Sequence, residues 1–305
     1  MSDESLPGAV PSAAARAILA EPVDALPDLT AANMPNVRDE IRAFFDPAVQ
    51  RALAASGAKT TQIRIAGVPC LEVLPPKITA DWPILYGYGG GYMTGSPYED
   101  LIIAAPLAAA TGARIIIPHY RLAPEHPWPA APDDGFAVYR ALAGQPFALV
   151  GESAGGNLAM VCLLRAQKAG LPMPGATALL SPWCDLSGAG DSLRANDGRD
   201  PFLSAAYDAA ASAFYVGEHP RTDPDISPVY GAYGPGLPPV LITTGTRDLL
   251  LSHAIRAEHV LRAAGAATRI TIWEDLWHVF EFDDRLPEAA LSLKQIAEFI
   301  TAHMS

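Results

Sequence analysis

Short apolar runs alternate with helix-length segments along most of this chain, and that alternation restricts the fold more than any other feature. The runs lie at 83–88, 113–118, 147–151, 177–181, 240–244 and 269–273, with helical segments at 98–111, 133–142, 154–169, 252–264 and 287–303. Short strands that are apolar throughout are buried on both faces, which requires a mainly parallel sheet with helices on either side. Two further strands at 61–66 and 70–74, joined by a turn at Gly67, precede them as a hairpin-like start. The stretch 186–225 breaks the rhythm, being rich in Gly and Asp with one helix at 204–215. Before the hairpin, alanine-rich segments around 13–20 and 37–55 read as helices separated by prolines. The expected organisation is therefore cap helices within 1–55, an α/β core over 56–185 and 226–305, and a cap insertion at 186–225.

Composition removes several classes of function. A chain of 305 residues buries roughly three quarters of its unfolded surface and needs neither disulfide nor metal to stay folded. Its net charge of −12, with no basic stripe, argues against a nucleic-acid partner. Three widely spaced cysteines, Cys70, Cys162 and Cys184, form neither a disulfide framework nor a zinc pattern. The most apolar long stretch, 101–117, is interrupted by Pro106, Thr111, Gly112 and Arg114, so no membrane span is expected. The first residues lack the basic start and apolar core of a signal peptide, so a cytoplasmic location is expected.

The chemistry concentrates at Gly151-Glu152-Ser153-Ala154-Gly155, a G-x-S-x-G pattern between an apolar strand and an apolar helix. A nucleophilic serine on a strand-to-helix turn needs small flanking residues so that the backbone can fold tightly and expose the hydroxyl. Such a serine needs a base, and the base needs an orienting acid. His278, in the loop after the 269–273 strand, is the best placed of the seven histidines. Asp248, just beyond the 240–244 strand, is the expected acid; Asp275 is the rival but shares the histidine's own loop. The third requirement is a set of donors for the charge that develops on the carbonyl oxygen. Tyr88-Gly89-Gly90-Gly91-Tyr92 follows a strand and offers unobstructed backbone N–H groups, to which Ala154 N–H adds another. Trp128, Trp183 and Trp277 read as packing residues; the cap aromatics Phe202, Tyr207, Phe214 and Tyr215 are candidates to line an acyl pocket, although helical spacing of aromatics more often marks core. Glu152 reads as making a local hydrogen bond.

Taken together, these motifs resemble the bacterial hormone-sensitive lipase family of esterases, also called family IV, from about Trp82 to Phe280. The specific pieces are YRLAPEHPWPAA at 120–131, GESAGGN at 151–157, LSPW at 180–183 with Asp185, and WHVF at 277–280. The resemblance implies an eight-stranded α/β-hydrolase sheet under a helical cap, a Ser153–Asp248–His278 triad, and hydrolysis of short- to medium-chain esters without a cofactor. It also implies Gly90 and Gly91 as oxyanion donors in preference to Gly89, and makes a homodimer through 269–273 and 287–303 plausible. The stretches GTRD at 245–248 and LRAAG at 261–265 are similar to members that open lactones. One departure stands out: the family's usual histidine before the three glycines is Tyr88, whose single O–H is left to support the loop.

Two other classes of function fit the sequence less well. A dinucleotide-dependent oxidoreductase fails because Gly87, Gly89 and Gly91 alternate but Tyr92 occupies the sixth place of G-x-G-x-x-G, and no phosphate loop is present. The plant gibberellin receptors resemble the same family but lack the catalytic histidine, which this chain retains as His278. Within hydrolases, lactone opening and deacetylation remain alternatives to simple ester cleavage, since one triad can attack all three.

Overall fold

Isoleucine, leucine, valine and threonine dominate the strands, because their side chains suit a packed, pleated surface. The computed structural model describes residues 10–21 and 29–304; residues 1–9 and 22–28 of the expected N-terminal cap segment lie outside the described residues. β1 (Lys59–Ile65), β2 (Val68–Leu74), β3 (Ile84–Gly87), β4 (Ile115–Pro118), β5 (Ala148–Glu152), β6 (Ala176–Leu180), β7 (Val240–Gly245) and β8 (Thr268–Trp273) form one sheet. Its order is β1-β2-β4-β3-β5-β6-β7-β8. β2 is antiparallel to β1 and β4, and every other pairing is parallel. Every residue of β3 to β7 is buried, so both faces of the central sheet are covered. All eight expected strands are present, their ends displaced by no more than two residues.

The helices are α1 (Ala13–Leu19), α2 (Met34–Ser56), α3 (Leu101–Thr111), α4 (Ala130–Leu142), α5 (Ala154–Ala169), α6 (Ser192–Ala195), α7 (Ala205–Val216), α8 (Leu251–Ala263) and α9 (Pro287–Met304). α3 packs on α9 and on α2, α4 packs on α5, and α8 lies against β7 and β8. Side-chain caps explain where two of them start: Ser12 accepts the N–H of Ala15, and Ser204 that of Tyr207. α3 begins three residues later than its apolar pattern suggests, after a turn in which Ser96 accepts the Tyr98 N–H. The one-turn α6 was not expected, since a single turn leaves no periodic signal. Among the described residues, no helix is long and apolar enough to cross a membrane.

The sheet order reverses at β3, with β4 on one side and β5 on the other. In open α/β sheets, ligands settle beyond the carboxyl ends of the strands at such a switch point. The loops after β3 and β5 are those that carry the three glycines and Ser153.

Candidate active site

Ser153 sits between β5 and α5 with φ 51° and ψ −116°, a conformation that costs a non-glycine residue about 1–3 kcal/mol. Neighbouring backbone holds it there: its N–H donates to Leu180 O at 2.9 Å, and its carbonyl accepts the Trp183 N–H at 2.9 Å. The start of α5 passes so close to β3 that a Cβ on Gly155 would overlap the Gly87 carbonyl, which is why the motif demands glycine there.

The hydroxyl meets its partners directly. Ser153 Oγ lies 3.0 Å from His278 Nε2, and His278 Nδ1 lies 3.0 Å from Asp248 Oδ1. All three side chains are buried, Asp248 completely. Asp248 Oδ1 also accepts the Leu250 N–H at 2.8 Å, and Oδ2 accepts the Thr244 hydroxyl at 2.7 Å. Burial opposes ionisation of Asp248, but His278 and the hydroxyls of Ser181 and Thr244 outweigh it and hold the carboxyl below its ordinary value. Burial likewise opposes charge on His278, yet the Asp248 carboxylate prevails and the imidazole lies above the ordinary histidine value. The rival acid Asp275 pairs with Arg247 at 2.9 Å.

The loop carrying His278 is fixed by two contacts that no local motif announces. Its backbone N–H donates to Asp200 Oδ2 at 3.1 Å, and the next N–H, of Val279, donates to Ser181 Oγ at 3.1 Å. The same Asp200 oxygen accepts the Leu249 N–H at 2.9 Å, so one carboxyl from the 186–225 stretch holds the chain beside both Asp248 and His278. Burial and the neighbouring Asp248 push the Asp200 carboxyl up to about 6.

Opposite the imidazole lies the glycine loop. Gly90 and Gly91 have φ of +95° and +61°, which L side chains rarely adopt, and a Cβ on Gly91 would collide with that of Ala211. The Gly90 carbonyl is tied back by the N–H groups of Met93 and Thr94 and by the Thr94 hydroxyl. A trans peptide points its N–H away from its carbonyl, so the Gly91 N–H faces the other way. The first N–H groups of α5, Ala154 among them, have no acceptor within the helix. Tyr88, in the place of the usual family histidine, is fully buried and donates its O–H to the Tyr120 carbonyl at 3.2 Å.

These groups meet in a cavity of about 470 Å³, lined by Gly89, Gly90, Gly91, Ser153 and His278, within the usual range for small-molecule sites. Its outer wall is aromatic: Phe45 of α2 lies 6.1 Å from Phe202 and 5.3 Å from Phe282 between ring centres. Trp183, expected only to pack, lines the cavity and donates its indole N–H to Asp208 Oδ1 at 2.6 Å. Phe202 and Tyr207 also line it, whereas Phe214 and Tyr215 do not. Sequence reasoning missed the contributions of Phe45, Asp200 and Phe282 because these residues come from distant segments and carry no mutual spacing.

Residues 84–282 match the profile of a family described by the alpha/beta hydrolase fold. The chain is 34% identical to an acetyl-hydrolase of Streptomyces hygroscopicus over 251 residues, covering 77% of this chain and 83% of that one. A solved hormone-sensitive lipase from a metagenome library is similar with a TM-score of 0.85 and 34% identity, over 95% of this chain and 96% of that one. A crystal structure of an esterase from the bacterial hormone-sensitive lipase family gives a TM-score of 0.83 at 30% identity, over 96% of each chain.

Proposed function

The chain belongs to the α/β-hydrolase family, within its bacterial hormone-sensitive lipase group of serine esterases, and we propose that it cleaves short- to medium-chain carboxylic esters through Ser153, His278 and Asp248. The observation that carries this reading is the unbroken path from Ser153 Oγ through His278 to Asp248, with both steps at 3.0 Å, beside the glycine loop in one cavity.

In this reading His278 Nε2 removes the proton from Ser153 as the oxygen attacks the ester carbonyl. Asp248 holds the Nδ1–H tautomer and stabilises the imidazolium without taking the proton. The N–H groups of Gly90, Gly91 and Ala154 receive the oxyanion; Gly89, against the Glu152 carboxyl, is the lesser choice. Tyr88 anchors the start of the loop to the backbone at Tyr120 by its buried O–H. His278 then gives its proton to the leaving alcohol, and a water activated by the same nitrogen releases the acid. The N-terminal helices and the 186–225 insertion act as a cap whose aromatic wall receives the apolar part of the substrate. A homodimer through β8 and α9 belongs to the same proposal, supported by the position of β8 at the sheet edge among the described residues and by the exposed Ile272. The name of the Streptomyces relative favours one second reading, hydrolytic removal of acetyl groups.

The test is hydrolysis of p-nitrophenyl esters with acyl chains of increasing length by wild type and Ser153→Ala. Wild type should favour the shorter chains, and the variant should lose at least about 10⁴-fold in kcat. Equal activity of the two proteins would remove Ser153 from the mechanism.

A further inference from the structure

Between Tyr88 and Gly89 lies the peptide that opens the oxyanion loop, and its two polar groups are both engaged by buried side chains. The Tyr88 carbonyl accepts the Tyr120 O–H at 2.5 Å. On the opposite side, the Glu152 carboxyl sits where a Gly89 side chain would be, close enough to attract the Gly89 N–H. The C=O and N–H of one trans peptide point in opposite directions, so two such partners prevent the plane from turning. Two residues on, the Gly90 carbonyl is bound from one side by Met93 and Thr94. The peptide that carries the Gly90 N–H is therefore suspended between two fixed planes. Three glycines in a row have no intrinsic preference that would otherwise hold it.

We propose that Tyr120 is a positioning residue for the oxyanion hole, its O–H fixing the Tyr88–Gly89 peptide from one side while the Glu152 carboxyl fixes it from the other. This rests on the esterase reading above. Tyr120 is buried, stacks on the Tyr88 ring with centres 4.0 Å apart and planes 2° from parallel, and belongs to the YRLAPE segment for which that reading finds no other use. The two tyrosines exchange hydrogen bonds, each O–H going to the other's carbonyl. The exchange is unequal in consequence. The Tyr120 O–H holds the loop that receives the oxyanion, whereas the Tyr88 O–H holds the backbone at Tyr120, outside the site. Where a side chain at position 88 can make only one such bond, the loop is held chiefly by its neighbours.

Tyr120→Phe, Tyr88→Phe and wild type would be compared on one short p-nitrophenyl ester and with an alkyl trifluoromethyl ketone, whose adduct with Ser153 places an oxyanion in the same donors. Tyr120→Phe keeps the stack and should lower kcat about 10- to 100-fold with little change in KM, since misplaced donors weaken the transition state. Its affinity for the ketone should fall in parallel, and Tyr88→Phe should lose several-fold less on both measures. Melting temperature checks that each variant is folded. Should Tyr120→Phe fail to fold, Glu152→Met is expected to show the same loss of kcat and ketone affinity, and Glu152→Gln, which keeps a carbonyl for the Gly89 N–H, to recover most of it. An active wild type with Tyr120→Phe equal to it overturns the proposal alone, as do equal losses in the two tyrosine variants, which mark simple packing. A wild type that neither cleaves esters nor binds the ketone overturns the esterase reading and the proposal with it.

Discussion

In the proposed mechanism His278 accepts a proton from Ser153 only while its imidazole is neutral, so the direction in which the site shifts that group is visible in the rate. Burial works against the charged ring, but the Asp248 carboxylate at 3.0 Å outweighs it. The acid limb of kcat/KM should therefore have its midpoint above the ordinary histidine value of 6.5, falling about tenfold per pH unit below it. A stopped pH series on a p-nitrophenyl ester reads this, and a midpoint well under 6.5 would mean that desolvation prevails over the carboxylate. The two aspartates near this loop separate in the same assay. Asp248→Asn favours the wrong tautomer and should cost about 10⁴-fold in kcat. Asp275→Asn breaks only a half-exposed pair with Arg247 and should leave kcat within about twofold, at a cost of at most about 1 kcal/mol in stability. Sequence order favoured Asp248 over Asp275, and the geometry places Asp248 against the imidazole.

At the scale of elements, strands and helices were legible because burial on both faces leaves a continuous apolar run and burial on one face leaves a helical period. The stretch 186–225 offered only the one helix at 204–215, and one of its links to the core is a single carboxyl. Asp200 accepts the N–H groups of His278 and Leu249 through one oxygen, and those of Phe202 and Leu203 through the other. Its carboxyl is pushed up to about 6 from 3.8. Between those values the folded chain keeps a proton that the unfolded chain has released, so this group makes stability fall as pH rises from about 4 to about 6. Asp200→Asn should flatten that slope in urea melts taken across the window. It should also destabilise the protein by about 1–3 kcal/mol, because an amide presents one acceptor where the carboxyl presented two. An unchanged slope would assign the pH dependence of stability to other groups.

Over the whole molecule, the cavity is walled by rings that lie far apart in the chain. Phe45, Phe202 and Phe282 meet at its outer edge, one from the N-terminal helix α2, one from the 186–225 stretch and one from the loop beyond His278. Phe45→Ala should raise KM for longer acyl chains about tenfold while leaving the shortest ester nearly unaffected, since only a long chain loses contact with the missing ring. A uniform rise across the series would show that the ring holds the cap in place and does not touch the substrate. The residues proposed for the chemistry were legible before any coordinate, because each obeys a local rule: a tight turn needs glycines around Ser153, and free donors need an unobstructed loop. So was the parallel sheet, from runs that are apolar on both faces. The Tyr88–Tyr120 exchange, the hold of Asp200 on both the Asp248 and His278 loops, and the place of Trp183 in the cavity wall were decided only by the tertiary structure. Those contacts join segments whose separation along the chain is arbitrary. Their side chains carry no period or spacing, and only the packing of one element on another brings the atoms together.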